Sequence, residues 1–133
     1  ATDVIRDEGV SYHYVPDEES VTPTTSLVDG LDDALSGAGF DTLRGQTWST
    51  SAFYRETVPE ISAYGEDGVL TLDMESAAIW AVCQYRGVDT ATVHELGGIL
   101  TPEEWQPKAQ HERGVTEMFD PTVAALEKHM TSE

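Results

Sequence analysis

Positive charge is what this sequence has least of. Against 25 Asp and Glu, its 133 residues carry only 7 Lys and Arg, a formal charge of −18 with the four His neutral. Clusters of Lys and Arg hold nucleic acid phosphates and anionic membrane surfaces, so this scarcity excludes both as partners. One cysteine, Cys83, allows no internal disulfide, and its apolar surroundings in the chain are those of a buried thiol. Runs of 18 apolar residues and a basic-then-apolar leader are both missing, so the expected location is cytoplasmic. Zinc, P-loop and Rossmann motifs, internal repeats and low-complexity tracts are likewise absent.

A hydrophobic content of 39% is enough for a core, and the length predicts a single domain over residues 1–133. The acidic excess destabilises a fold by self-repulsion at low salt and costs little at molar salt, where the Debye length is about 3 Å. Arg6, Arg44, Arg55, Arg86 and Arg113 outnumber Lys108 and Lys128. Together these features read as a halophilic protein, the alternative being an acidic mesophilic one. The chain starts at Ala1 rather than Met, so it is expected to be processed or to be part of something longer.

Strands and helices alternate along the chain. Ala1 to Arg6 and Ser11 to Val15 read as extended segments around the turn Asp7-Glu8-Gly9. Leu27, Leu31 and Leu35 mark an amphipathic helix between the cap candidates Thr24/Thr25 and Gly37/Gly39. Asp41 to Ser49 reads as a strand, Arg55 to Tyr64 as a short helix with Pro59 early in it, and Val69 to Leu72 as a strand. Glu75 to Arg86 predicts a nearly all-apolar, buried helix stopped by Gly87, and Val88 to Leu96 a further strand before Gly97-Gly98. His111 to Met130 predicts a terminal helix, with Val115, Met118, Phe119, Val123, Leu126 and Met130 on one side and a kink or break at Pro121. The fold class is α/β.

Three places hold side chains capable of chemistry. Asp73-Met74-Glu75-Ser76 lies at the end of a strand just before an apolar helix, where α/β sheets bind ligands, so its carboxylates are candidates for gripping a polyol or an amine. Equally, an Asp at the cap and a Glu in the first turn simply suit a helix N-terminus. Around Trp48 to Thr57, hydroxyls and the rings of Phe53 and Tyr54 suit a flat ligand, and Arg55 suits an anion or a carbonyl. The competing account puts the rings in the core and Arg55 in an ion pair with Glu56 or Glu60. In Val93-His94-Glu95-Leu96-Gly97-Gly98, strand alternation would send His94 and Glu95 to opposite faces, and no second metal ligand follows at a useful spacing. His13, between Tyr12 and Tyr14, reads as structural.

Taken in order, four blocks resemble the nucleoside phosphorylase superfamily of uridine phosphorylase and the hexameric bacterial purine nucleoside phosphorylases. They are residues 1–14 with Asp7-Glu8-Gly9, Trp48 to Tyr54, Val69 to Arg86 with Asp73-Met74-Glu75-Ser76-Ala77-Ala78, and Val88 to Gly98. The resemblance implies the C-terminal half of a three-layer αβα fold with a central mixed β-sheet. It implies phosphorolysis of a nucleoside to a free base and a pentose 1-phosphate, with inorganic phosphate as co-substrate and no metal or organic cofactor. It assigns Met74 and Glu75 to the ribose with Asp73 beside them, and Phe53 to the base with Tyr54 and Arg55 as neighbours. It also implies self-association as a dimer or hexamer.

The departures are as specific. Relatives acting on purines carry an Asp after the last strand to protonate the base, and the matching position here is Gly98. Many relatives have an Asp where this chain has Ser51, and the family's Arg-bearing phosphate site lies in the half preceding Ala1. No catalytic residue is therefore assigned. A pyrimidine or broad substrate range is expected over strict purine preference. The alternative is a degenerate relative that binds nucleosides or serves as an assembly subunit.

Overall fold

The computed structural model describes residues 1–107 and 114–131. Its sheet joins β1 (Asp3–Asp7), β2 (Gln46–Thr50) and β3 (Thr71–Asp73) in that order, all parallel. The register sets Ile5, Trp48 and Leu72 side by side, and Arg6, Ser49 and Asp73 one step further along. Successive strand residues point to opposite faces, so these two rows define the two sides of the sheet. Helix α1 (Thr25–Gly37) connects β1 to β2, and α2 (Val58–Glu66) connects β2 to β3. After β3 come α3 (Ser76–Arg86), an antiparallel pair β4 (Gly98–Leu100) and β5 (Trp105–Pro107), and α4 (Val115–Met130). The α/β class holds, and parallel and antiparallel pairing fall in two separate sheets.

One face of the sheet is closed by α3. Ser76, Ala77, Trp80 and Ala81 form its buried stripe at helical spacing, and Trp80 packs with Val4, Val15 and Val21. The expectation of a wholly buried helix fails, because Ile79 and Tyr85 on its far side are exposed. Gly87 ends α3 in the left-handed conformation, at φ 63°, as the C′ position demands. Leu27, Val28, Leu31 and Leu35 are the buried stripe of α1, which packs against α4.

Other boundaries move for identifiable reasons. Ser11 to Val15 is not extended; Ser11–His13 is a 3₁₀ turn. The Glu8 carboxylate takes the Val10 and Ser11 amides at 2.6 and 3.1 Å, while Arg6 gathers the carbonyls of Val15, Pro16 and Glu19 at 2.5, 2.9 and 3.1 Å. These groups bend the chain before it can pair. Residues 41–45 stay outside β2, since Arg44 is tied back to Asp29 and Asp32 of α1 at 2.5 and 2.7 Å. Pro59 sits in the first turn of α2, where a missing N–H is harmless, and Glu60 accepts the Thr57 amide at 3.1 Å.

The strand expected over Val88 to Leu96 does not form, and none of the described strands pairs with it. Single bonds hold it instead: the Thr24 amide donates to the Thr90 carbonyl at 2.7 Å, and the Ala1 amine to the Thr92 carbonyl at 3.0 Å. The start of the predicted terminal helix lies outside the described residues. Helix α4 passes through Pro121 without a break, and Phe119, Leu126 and Met130 of its apolar side are exposed while Ala125 is buried. Cys83 is half-buried rather than buried. Among the described residues no helix is long and apolar enough to cross a membrane.

Candidate functional site

The parallel strands bring their carboxyl ends together at Asp7, Thr50 and Asp73, and the candidate residues lie on the loops that follow. Asp73 faces inward, its side chain 8% exposed. Its Oδ1 accepts hydrogen bonds from Ser49 Oγ at 2.7 Å and from the Glu75 and Ser76 amides at 2.9 and 2.8 Å. Its Oδ2 accepts one from Thr47 Oγ1 at 2.7 Å. Burial pushes this carboxyl up, but the bonds from Ser76, Thr47, Ser49 and Glu75 outweigh burial and hold it below the usual range. Asp73 therefore secures the first turn of α3 to β2, in the manner of a helix cap.

Met74 and Glu75 have the opposite environment. Both are exposed, and among the described residues the Glu75 carboxylate accepts a hydrogen bond from the Met74 amide alone, at 3.1 Å. They project past the end of β3, which leaves two carboxylates two residues apart with different duties.

On the other side of β3 opens a cavity of about 750 Å³. Leu72, Trp48 and Tyr64 line it, the last two edge to face with ring centres 4.8 Å apart. Phe53, in the 3₁₀ turn Phe53–Arg55 after β2, forms part of the wall. The Tyr54 ring lies on that of Phe53, centres 3.9 Å apart, and is otherwise in solvent. Neither ring belongs to the core. Arg55 turns away into a second cleft, of about 590 Å³, beside Asp7, Glu8, Ser51 and Glu60, and makes no ion pair with Glu56 or Glu60. Of the residues that the family resemblance assigns to base and ribose, Phe53 alone lines the large cavity, Met74 and Glu75 follow the end of β3, and Arg55 lines the second cleft.

His94 and Glu95 both line the large cavity. The alternation argument fails here because their segment is not a strand. His94 Nε2 lies 3.1 Å from Ser76 Oγ and 3.4 Å from Asp73 Oδ2, and Nδ1 lies 3.4 Å from Thr71 Oγ1. Burial holds the imidazole below its ordinary pKa against the pull of Asp73. Sequence reasoning missed this link between Ser76 and His94; tertiary packing creates it, and no local pattern signals it.

Gly98 has a steric reason. A Cβ there would sit 2.7 Å from the Gln106 backbone oxygen and 2.9 Å from Trp105 Nε1, so the β4–β5 pairing admits no side chain. Gly97, also on the cavity wall, faces open space. Among the described residues no group of three His, Cys, Asp or Glu is placed to hold a metal ion.

Solved structures share this fold at low identity. AMP nucleosidase from Bacteroides thetaiotaomicron VPI-5482 matches with a TM-score of 0.71 at 20% identity, over 99% of this chain and 54% of that one. The P. knowlesi homologue of P. falciparum PNP matches with a TM-score of 0.70 at 17% identity, over 96% of this chain and 50% of that one. The chain thus spans about half the length of these structures. No curated protein matches it. The model of the phosphorylase superfamily matches residues 1–120, and the chain belongs to that family.

Proposed function

We propose that the intact protein splits a nucleoside with inorganic phosphate, releasing a base and ribose 1-phosphate, and that this chain supplies the nucleoside side of the site. The observation that carries the reading is the position of the cavity. It runs along Val69 to Leu72, into β3, with Phe53 and Leu72 on its wall, and Met74 and Glu75 follow the last residue of that strand. A base fits an aromatic-walled hollow, and a sugar needs exposed acceptors for its hydroxyls beside it. Glu75 has acceptor capacity to spare, whereas Asp73 is committed to the fold and acts by holding the Met74-Glu75 turn in place. Phosphorolysis through an oxocarbenium-like transition state asks the protein for position and electrostatics rather than for a metal or organic cofactor.

The substrate range is uridine or broader, since Gly98 offers no acid to a purine ring and its surroundings forbid one. The acid-rich composition supports a salty cytoplasm as its setting. Exposed Ile79, Phe119 and Met130 are apolar enough to favour self-association as a dimer or hexamer. The experiment is to incubate the intact protein with uridine, inosine and phosphate in molar potassium chloride and follow base release. Phosphate-dependent release of uracil is expected. Nucleoside binding without turnover would instead identify a degenerate binding or assembly subunit, the reading that Ser51 and Gly98 favour.

A further inference from the structure

Two tryptophans line the large cavity, and they spend their indole N–H groups differently. Trp48, in β2, is 3% exposed and donates to Asp7 Oδ2 at 3.1 Å. Trp105, in β5, is 63% exposed, and its Nε1–H meets no acceptor among the described residues. The ribbon fixes where that N–H lies. Thr101 closes its turn, the amide donating to the Glu104 carbonyl at 2.9 Å and Oγ1 accepting the Glu103 and Glu104 amides at 3.3 and 3.2 Å. The register then sets Trp105 beside Leu100, and the indole reaches across to Gly98, its Nε1 2.9 Å from where a Gly98 Cβ would stand. Gly98, Leu100 and Trp105 all lie on the cavity wall, so the absent side chain leaves a niche with an indole N–H at its edge. The other side-chain donors on the described wall are placed differently. Thr71 and His94 are engaged with one another and with Ser76 and Asp73, and Tyr64 lies in the field of the Asp7 and Glu60 carboxylates, where an anion is repelled.

Resting on the phosphorolysis reading, we infer that Trp105 Nε1–H is a catalytic donor that holds a carbonyl oxygen of the departing base. An oxygen of phosphate bonds to the anomeric carbon as the bond from that carbon to the base nitrogen breaks. The electron pair of the broken bond goes to the base, and in uracil it spreads over N1 and the C2 and C4 carbonyl oxygens. A fixed donor at one of those oxygens is worth most once the charge has arrived there, so it lowers the barrier more than it tightens substrate. Indole is a donor only and keeps its proton, so the base leaves as an anion and takes its own proton from water afterwards. Uracil, whose anion is shared between two carbonyls, departs in this way without an acid.

The test compares cleavage of uridine and 5-fluorouridine by the intact protein in molar potassium chloride at saturating phosphate, in single turnovers so that product release does not mask bond breaking. Fluorine helps the departing base carry its charge, so a protein donor matters less for 5-fluorouridine. Trp105→Phe keeps a ring on the wall and loses the N–H. It should slow uridine cleavage roughly ten- to a hundred-fold, the worth of a hydrogen bond to a charged group, and slow 5-fluorouridine by a clearly smaller factor. The uridine concentration giving half the maximal rate should stay within about three-fold of native, since the bond strengthens only in the transition state. A benzothiophene in place of the indole at position 105, the same bicyclic shape with sulfur for N–H, should reproduce this pattern, which lost packing does not explain. If either variant cleaves uridine within about two-fold of native, or is slowed equally on both substrates, the ring is only a wall and the assignment is overturned, while native turnover leaves the phosphorolysis reading intact. Absence of uridine cleavage by the native protein overturns both.

Discussion

Asp73 and Glu75 are the same chemistry two residues apart, and the fold uses them in opposite ways. Asp73 is inside, and both its oxygens are engaged by β2 and by the first turn of α3. Glu75 is outside and, among the described residues, accepts a single hydrogen bond, from the adjacent Met74 amide. In a chain with 25 acidic residues, carboxylate identity says little; the supply of donors around each one decides whether it builds the fold or meets a ligand.

The sharpest way to break this contrast is Asp73→Ala. Removal strands the hydroxyls of Thr47 and Ser49 and the amides of Glu75 and Ser76 in a largely buried place, so we expect a loss of at least about 3 kcal/mol in chemical denaturation. Because the folded carboxyl is held below its ordinary range, its contribution is present above the unfolded value of about 4 and is lost as pH falls through the folded one. The native protein should therefore lose stability on acidification through that window, and Asp73→Ala should lose less of it. Equal acid sensitivity in the two proteins would contradict the capping role.

Glu75→Ala sharpens the contrast from the other side. Among the described residues its carboxylate accepts no hydrogen bond beyond that of the adjacent Met74 amide, so stability should stay within about 0.5 kcal/mol of native. Loss of a charge-assisted hydrogen bond to ribose should weaken nucleoside binding by roughly ten- to a hundred-fold, read by titration calorimetry with uridine. A variant that unfolds early and binds normally would exchange the two roles.

Much of this was legible in the sequence, and the misses share a cause. The stripe of α1, the stop at Gly87 and the Asp73-Met74-Glu75 block at a strand-to-helix junction are local patterns, and local patterns survive folding. The strand expected over Val88 to Leu96 has the right residues but no paired neighbour among the described strands, and a strand exists only through its partner. The buried helix expected at α3 keeps an apolar outer face on which Ile79 is exposed and Tyr85 meets the ring of Tyr14 edge to face. Motif order singles out Phe53 and Glu75 as candidates, and the fold sets Phe53 on the cavity wall and Glu75 exposed after β3. The inward commitment of Asp73 and its link to His94 depend on Thr47, Ser49 and Ser76, which only the sheet register brings together.

Gly97 and Gly98 extend the lesson to residues without side chains. The sequence presents a pair of equals, yet Gly98 is pressed against the Gln106 backbone and Gly97 is not. Gly98→Ala forces a Cβ against an atom that cannot rotate away, and the strain is relieved by opening the β4–β5 pair, since a two-stranded ribbon has little stability of its own. The loss should be about 1 kcal/mol and local, seen as faster hydrogen exchange at Ile99 and Gln106 with little change in global unfolding. Gly97→Ala should leave that exchange unchanged. The same asymmetry makes Gly97→Asp the variant that can return an acid to the cavity wall, with purine nucleoside turnover rising relative to uridine. Gly98→Asp opens the wall it would need to act from, so equal gains from both variants would show that the hairpin does not shape the site.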